Sequence, residues 1–254
     1  MRLLCIGFDG LGYKNWKTHL ASEPLGYVEM HSPIPVSGPA WVSLYTGLPL
    51  LDHGVRDVWG RPIHSKTYTD IVEECVWTTL QRHGVGCELC VLPCTWPPSA
   101  VSPYMVAGFQ QQGPVRWTYP LSLQLPPGFD HWTDLCWWGG FMEPGNWHHA
   151  PHQMGYAACL AKAEAGAENL TQWCIDHHDK SADFGWIAYT FPDRLFHIWW
   201  DKPEVWPRVA GRVKWVIDTL REALQPQAIL IVSDHGWSVD KGHNHGAILA
   251  FEGA

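Results

Sequence analysis

The chain has 254 residues, 46% of them hydrophobic and 17% charged, which is enough apolar material for a packed core. A mean hydropathy of −0.15, without any apolar run near the roughly 18 residues that a bilayer crossing needs, excludes a protein that spans a membrane by helices. A formal net charge of −8, from 17 Lys and Arg against 25 Asp and Glu, excludes affinity built on neutralising a nucleic-acid polymer. A small-molecule partner is expected instead, with no membrane contact.

The first residues pass from one arginine into a short apolar run, without the long apolar region and small-residue cleavage site of an export signal. A cytoplasmic location is therefore expected. Residues 3–8 (LLCIGF) read as a buried strand closed by Asp9. Ser37-Gly38-Pro39 then precedes a helical run over 40–46, so Ser37 stands at a helix start, as a capping hydroxyl or as a group served by the helix dipole. The run GVGCELCVLP reads as a further buried strand after a helix. Its Cys87, Cys90 and Cys94 lack a second Cys/His pair at zinc-finger spacing and are expected to be structural thiols. Residues 95–151, dense in Pro, Gly and Trp, read as an irregular excursion over the site.

Helix formers fill 155–178, and a strand is predicted over 185–190 (GWIAYT), followed by Asp193. A second long helix is predicted over 206–224, ending at Gln225-Pro226, and a third short apolar strand over 228–232 (AILIV), followed by Asp234. Strands alternating with helices predict an α/β fold, a mostly parallel central sheet sandwiched by helices, as one domain over 1–254 with the insertion at about 95–151. In such a sheet ligands bind beyond the carboxyl ends of the strands, so Asp9, Asp193 and Asp234 are expected to converge on one crevice.

Around these carboxylates stand imidazoles. Asp193 and His197 are four apart in FPDRLFHIWW and share a face if the chain turns helically there. Asp234-His235 supplies an adjacent pair that could serve one ion or two, and GHNHGA adds His243 or His245. Mixed oxygen and nitrogen donors of this kind suit Zn²⁺ or Mn²⁺ better than Ca²⁺.

Five stretches in this order, GFDGLGY (7–13), PVSGPAWVSLYTGLPLLDHGV (35–55), TWPPSAVSPYMVAGF (95–109), YTFPDRLFHIWW (189–200) and VSDHGW…GHNHGAIL (232–249), resemble the alkaline phosphatase superfamily, in particular its type I phosphodiesterase/nucleotide pyrophosphatase branch. The resemblance implies an alkaline-phosphatase-like fold and two divalent metal ions, most naturally Zn²⁺ with Mn²⁺ as the alternative. It implies that Asp9, Asp234 and His235 hold one ion with Ser37 as the nucleophile beside it. The other ion would take Asp193, His197 and His243, with His243 preferred over His245. The expected activity is hydrolysis of a phosphodiester or phosphoanhydride bond in a small, nucleotide-like molecule.

The chain departs from the branch after Asp52-His53-Gly54, where relatives commonly carry an asparagine that donates to a phosphate oxygen. Here Arg56 could take that place, or could simply lie on a solvated turn. A phosphomonoesterase or phosphonate hydrolase of the same superfamily is therefore the alternative, with Arg56 or Lys14 as the extra cation. A sulfatase is disfavoured, because Ser37-Gly38-Pro39-Ala40-Trp41 lacks the arginine of the C/S-x-P-x-R pattern. A non-catalytic, metal-bound nucleotide-binding protein is the reading from another class. Trp96, Trp117, Trp137 and Trp138 could stack a nucleobase or fill core. His148, His149, His152, His177 and His178 are expected to be solvated or to offset a helix dipole.

Overall fold

Strand β1 (Leu3–Phe8) occupies the middle of the computed structural model, which describes residues 1–21, 25–56, 66–108, 117–125, 155–199, 201–238 and 242–253. Its side chains alternate between two cores. Leu4, Ile6 and Phe8 enter one, and Cys5 enters the other, as the period of two requires. A strand buried on both faces needs helices on both sides, and its unbroken apolar sequence follows from that.

The strands that complete the sheet are β2 (Gly26–His31), β3 (Gly86–Leu92), β4 (Pro103–Ala107), β5 (Thr118–Tyr119), β6 (Ala182–Tyr189), β7 (Ala228–Val232) and β10 (Gly246–Gly253). They run in the order β2-β10-β7-β1-β6-β3-β4-β5. The pairs of β1 with β6 and β7, and of β3 with β4 and β6, are parallel, while β10 pairs antiparallel with β2 and β7, and β5 with β4. The sheet is thus mostly parallel, as expected. Strands β8 (Gly236–Ser238) and β9 (Gly242–Asn244) form a separate antiparallel ribbon in which Trp237 lies opposite His243.

Among the described residues the helices are α1 (Tyr13–His19), α2 (Ser37–Thr46), α3 (Leu50–His53), α4 (Tyr68–Ile71), α5 (Val76–Arg82), α6 (Tyr156–Asp176), α7 (Phe191–Trp199) and α8 (Val205–Leu224). Helix α8 buries Val205, Val209, Val213, Val216, Ile217, Leu220 and Leu224, one stripe at helical spacing. It stops at Gln225, whose φ of 45° is left-handed. Helices α6, α7 and α8 cover the face to which Leu4 and Ile6 point, and Trp41 of α2 and Trp77 of α5 fill the opposite core. Between α6 and α8, Arg208 pairs with Glu164 and Arg212 with Glu168; exposed pairs of this type contribute at most about 1 kcal/mol each.

Several expectations are corrected in detail. Strand β6 begins three residues before the predicted 185, and the segment from residue 95 contributes β4 and β5 to the sheet edge, while residues 109–116 and 126–154 lie outside the described residues. Trp137, Trp138, His148, His149 and His152 lie outside the described residues. Cys87, Cys90 and Cys94 are buried on or just after β3, and among the described residues no cysteine joins a potential metal group.

Candidate active site

Three strands of the sheet, β1, β6 and β7, end at one rim, and each delivers an acid there. Asp9 follows β1 directly, Asp193 opens α7 after β6, and Asp234 follows β7 after Ser233. Backbone bonds lock the first two together: the Asp9 N–H donates to the Tyr189 carbonyl at 2.9 Å and the Asp193 N–H to the Asp9 carbonyl at 3.1 Å. The fixed backbone leaves the side chains little freedom, and all three aspartates are buried. Gly10 turns the chain away with φ 72°, a conformation that favours glycine.

Ser37 is the first residue of α2, and the N-cap position is Val36, so the capping role considered for Ser37 is not the observed one. Its hydroxyl instead donates to Asp9 Oδ1 at 3.0 Å and lies 3.3 Å from His235 Nε2. His235 is fully buried, and its Nε2 also lies 3.3 Å from Asp234 Oδ2, 3.5 Å from Asp9 Oδ1 and 3.9 Å from Asp193 Oδ1. On α7 the spacing of four places His197 Nε2 at 3.3 Å from Asp193 Oδ2. His243 Nε2 lies 3.4 Å from Asp193 Oδ1 and 3.1 Å from His197 Nε2. His245 goes elsewhere: its ring stacks on His31 at 5.0 Å and its Nδ1–H donates to the Ser32 carbonyl at 2.6 Å.

Two of the imidazoles have their tautomers set by the backbone. His243 Nδ1–H donates to the Pro35 carbonyl and His235 Nδ1–H to the Gly236 carbonyl, which turns both Nε2 atoms into the cluster. The cluster therefore sets acceptor atoms face to face, and a proton or a cation must stand between them. Asp234 Oδ2 is buried with no hydrogen-bond partner, a condition that costs a charged oxygen several kcal/mol, about 1–3 or more. The ligand-type atoms of Asp9, Asp234 and His235 lie within 4.8 Å of one another, as do those of Asp193, His235 and His243. An oxygen and nitrogen set of this kind fits a small divalent cation.

The electrostatics agree. Burial first, then the charges of Asp234 and Asp193, push the Asp9 carboxyl well above the usual range. Burial pushes Asp234 up to about 8 against the opposing hydrogen bond from the Gly10 N–H. Burial would raise Asp193 as well, but the His197 charge and hydrogen bonds from His197 and His243 outweigh it and hold that carboxyl well below its usual range. Three carboxylates this close and this dry cannot all ionise without positive charge among them.

Other candidates stand at the surface or find structural partners. Lys14 is exposed on α1 and Arg56 is exposed at the end of its described segment. His177 lies at the end of α6, bonded to the Trp173 carbonyl, and His178 bonds the buried Glu88. The sequence reading missed Trp41 and Trp237, whose indole N–H groups donate to Asp9 Oδ2 and Asp193 Oδ1. The available signal was their position, in the SGPAW and DHGW runs beside site residues.

A mostly parallel sheet with helices on both faces and this carboxylate and imidazole crevice at its carboxyl rim defines an alkaline-phosphatase-like protein. The profile of the family described as type I phosphodiesterase / nucleotide pyrophosphatase matches residues 3–248, and the chain belongs to that family. The fold is similar to that of human ectonucleotide pyrophosphatase / phosphodiesterase 5 (TM-score 0.53, 17% identity, 93% of this chain and 57% of that one). It is similar as well to the murine form of that protein, solved as an inactive variant in complex with AMP (TM-score 0.52, 17% identity, 93% and 57% covered). A 2-O GAG sulfatase has the same fold (TM-score 0.55, 11% identity, 100% and 64% covered). The chain thus spans little more than half the length of the ectonucleotide pyrophosphatases that it resembles. Comparison with curated proteins gives no match. No helix among the described residues is long and apolar enough to cross a membrane.

Proposed function

We propose that this chain is a metal-dependent phosphoric ester hydrolase that cleaves a phosphodiester or phosphoanhydride bond in a small, nucleotide-like molecule, with residues 1–254 acting as one catalytic domain. The observation that carries this reading is Ser37: a hydroxyl at the N-terminus of a ten-residue helix, hydrogen-bonded to Asp9 and beside His235, at the edge of a cluster of buried acids. Asp9, Asp234 and His235 would hold one divalent ion beside Ser37, and Asp193, His197 and His243 a second, Zn²⁺ or Mn²⁺ by donor type. Bound there, the ions would lower the pKa of the serine hydroxyl and neutralise charge on the leaving oxygen.

The chain's own groups do the rest. Ser37 presents its oxygen where the free N–H groups and dipole of α2 favour an anion, which serves both the alkoxide and the incoming phosphoryl group. Attack by Ser37 Oγ on phosphorus forms the P–O bond to serine as the bond to the leaving oxygen breaks. Water then attacks the phosphorylated Ser37 opposite its Oγ, the P–O bond to serine breaks, the phosphate product leaves with its remaining ester group and the serine oxygen regains a proton, so the two inversions give net retention at phosphorus. The half-exposed His197 and the partly exposed His243 mark the open side through which the ester enters. The chain's negative charge favours a small ester over a polymer.

A phosphomonoesterase is the second reading, favoured because the run Val55-Arg56-Asp57-Val58 after Gly54 holds no asparagine where the branch commonly has one, with Arg56 as the cation in its stead. Trp41 at the sulfatase arginine position speaks against sulfate esters. The test compares bis-p-nitrophenyl phosphate with p-nitrophenyl phosphate on Zn²⁺- and Mn²⁺-reconstituted protein and on metal-stripped protein. Metal-dependent preference for the diester is expected, with Ser37→Ala losing at least about 10³-fold in kcat while retaining its metal. Preference for the monoester shifts the role to phosphatase and makes Arg56 the next residue to replace. Nucleotide binding without turnover, in wild type and Ser37→Ala alike, would establish the binding-protein reading.

A further inference from the structure

Each of the three buried carboxylates commits one oxygen to an N–H donor. The Gly10 N–H donates to Asp234 Oδ1 at 3.1 Å, the Trp41 indole to Asp9 Oδ2 at 3.2 Å and the Trp237 indole to Asp193 Oδ1 at 2.5 Å. The bond from Trp41 leaves Asp9 Oδ1 to Ser37 and His235, whereas Trp237 shares Asp193 Oδ1 with His243 Nε2 at 3.4 Å and His235 Nε2 at 3.9 Å and leaves Oδ2 to His197. Trp237 also packs edge-on against both neighbouring imidazoles, with ring centroids 4.7 Å from His197 and 4.6 Å from His243. Both indoles are buried, at 0% and 7% exposure.

These two tryptophans differ from their neighbours in the core. Trp16 and Trp186 bury indole nitrogens that have no hydrogen-bond partner, and Trp77 donates to the Tyr68 hydroxyl. The backbone is also shaped to admit the pair: a Cβ on Gly7 would lie 2.3 Å from the Trp41 ring, and one on Gly10 would lie 2.9 Å from Trp237. An indole N–H suits the task because it is a donor only. It neutralises part of a buried carboxylate without competing as a ligand, and its apolar body excludes water.

We propose that Trp41 and Trp237 are positioning residues for metal binding, one at each ion position: each pins the plane of one aspartate so that its remaining lone pairs face the cluster. This rests on the reading that Asp9 and Asp193 bind divalent ions. The test is a Zn²⁺ titration of metal-free full-length protein against a chromogenic chelator, for wild type, Trp41→Phe, Trp237→Phe and Trp16→Phe. Wild type is expected to take up two equivalents. Each of the first two variants is expected to weaken one of the two equivalents by about 10–100-fold, as loss of an outer hydrogen-bond partner does, while Trp16→Phe leaves both unchanged. Wild type that binds no zinc overturns the metal reading itself. Wild type with two ions and unchanged Trp41→Phe and Trp237→Phe affinities overturns only the positioning role, as does an equal loss in Trp16→Phe. Should a phenylalanine variant not fold, the wild type with ¹⁵N-labelled indoles decides: zinc should shift two indole N–H signals, and no shifted indole signal overturns the proposal.

Discussion

His243 and His245 are two residues apart in GHNHGA, and nothing in the run itself says which one faces the crevice. The ribbon decides. Pairing Trp237 with His243 turns the His243 ring toward Asp193, and the Pro35 carbonyl fixes its Nδ1, while His245 is drawn to Ser32 and His31. His243→Ala should therefore weaken zinc binding by at least the ~10–100-fold that loss of an outer-shell partner costs, with a matching fall in kcat/KM. His245→Ala should leave the zinc titration unchanged. Equal losses in the two variants would show that the ribbon does not select the ligand. Ser37 was legible as a helix start, and the family resemblance placed it near Asp9, but the direct bond from its hydroxyl to Asp9 was not legible, because the two lie 28 positions apart in sequence.

At the scale of elements, the site depends on how closely β1 and its turn approach α2, α7 and the β8–β9 ribbon. Gly10 combines φ 72° with a would-be Cβ 2.9 Å from the Asp193 Cβ, so Gly10→Ala adds backbone strain of about 1–3 kcal/mol to a collision with a site aspartate. Urea unfolding of Gly10→Ala should show at least that loss, and the zinc titration should weaken with it. A partly exposed glycine with open space around its missing Cβ, Gly166 within α6, gives the contrasting case. Gly166→Ala should stabilise the protein by about 0.5–1 kcal/mol, because alanine loses less backbone entropy in a helix. A Gly10→Ala protein as stable as wild type would mean that the turn relaxes freely.

For the whole molecule, the concentration of buried acid predicts how stability depends on pH. The Asp234 carboxyl is pushed from 3.8 to about 8, and Asp9 is shifted in the same direction. The metal-free folded protein therefore keeps protons that the unfolded chain has already lost above about pH 4. Its stability should fall as pH rises toward 8, by up to about 1.4 kcal/mol per pH unit for each retained proton. Asp193, shifted downward, is ionised in both states across that window and contributes no slope there. Metal ligands must be deprotonated, so the zinc-induced rise in Tm should grow between about pH 5.5 and pH 8. Thermal unfolding with and without zinc at several pH values measures both trends, and a zinc increment that shrinks with pH would contradict them.

Much of this architecture follows from local sequence. The strands at 3–8 and 228–232 and the long helices near 155–178 and 206–224 were legible because apolar runs and helical stripes report burial directly, and turn residues mark their ends. The convergence of Asp9, Asp193 and Asp234 was legible as well, since a parallel sheet aligns the carboxyl ends of its strands. What the tertiary structure alone decided is which atoms meet there: the tautomers of His235 and His243, the sharing of His235 between two groups of donors, and the indole bonds of Trp41 and Trp237. The reason is physical. Periodicity and propensity act over a turn of helix or a few residues of strand, whereas hydrogen bonds and cation sites are fixed to tenths of an ångström by groups far apart in the chain.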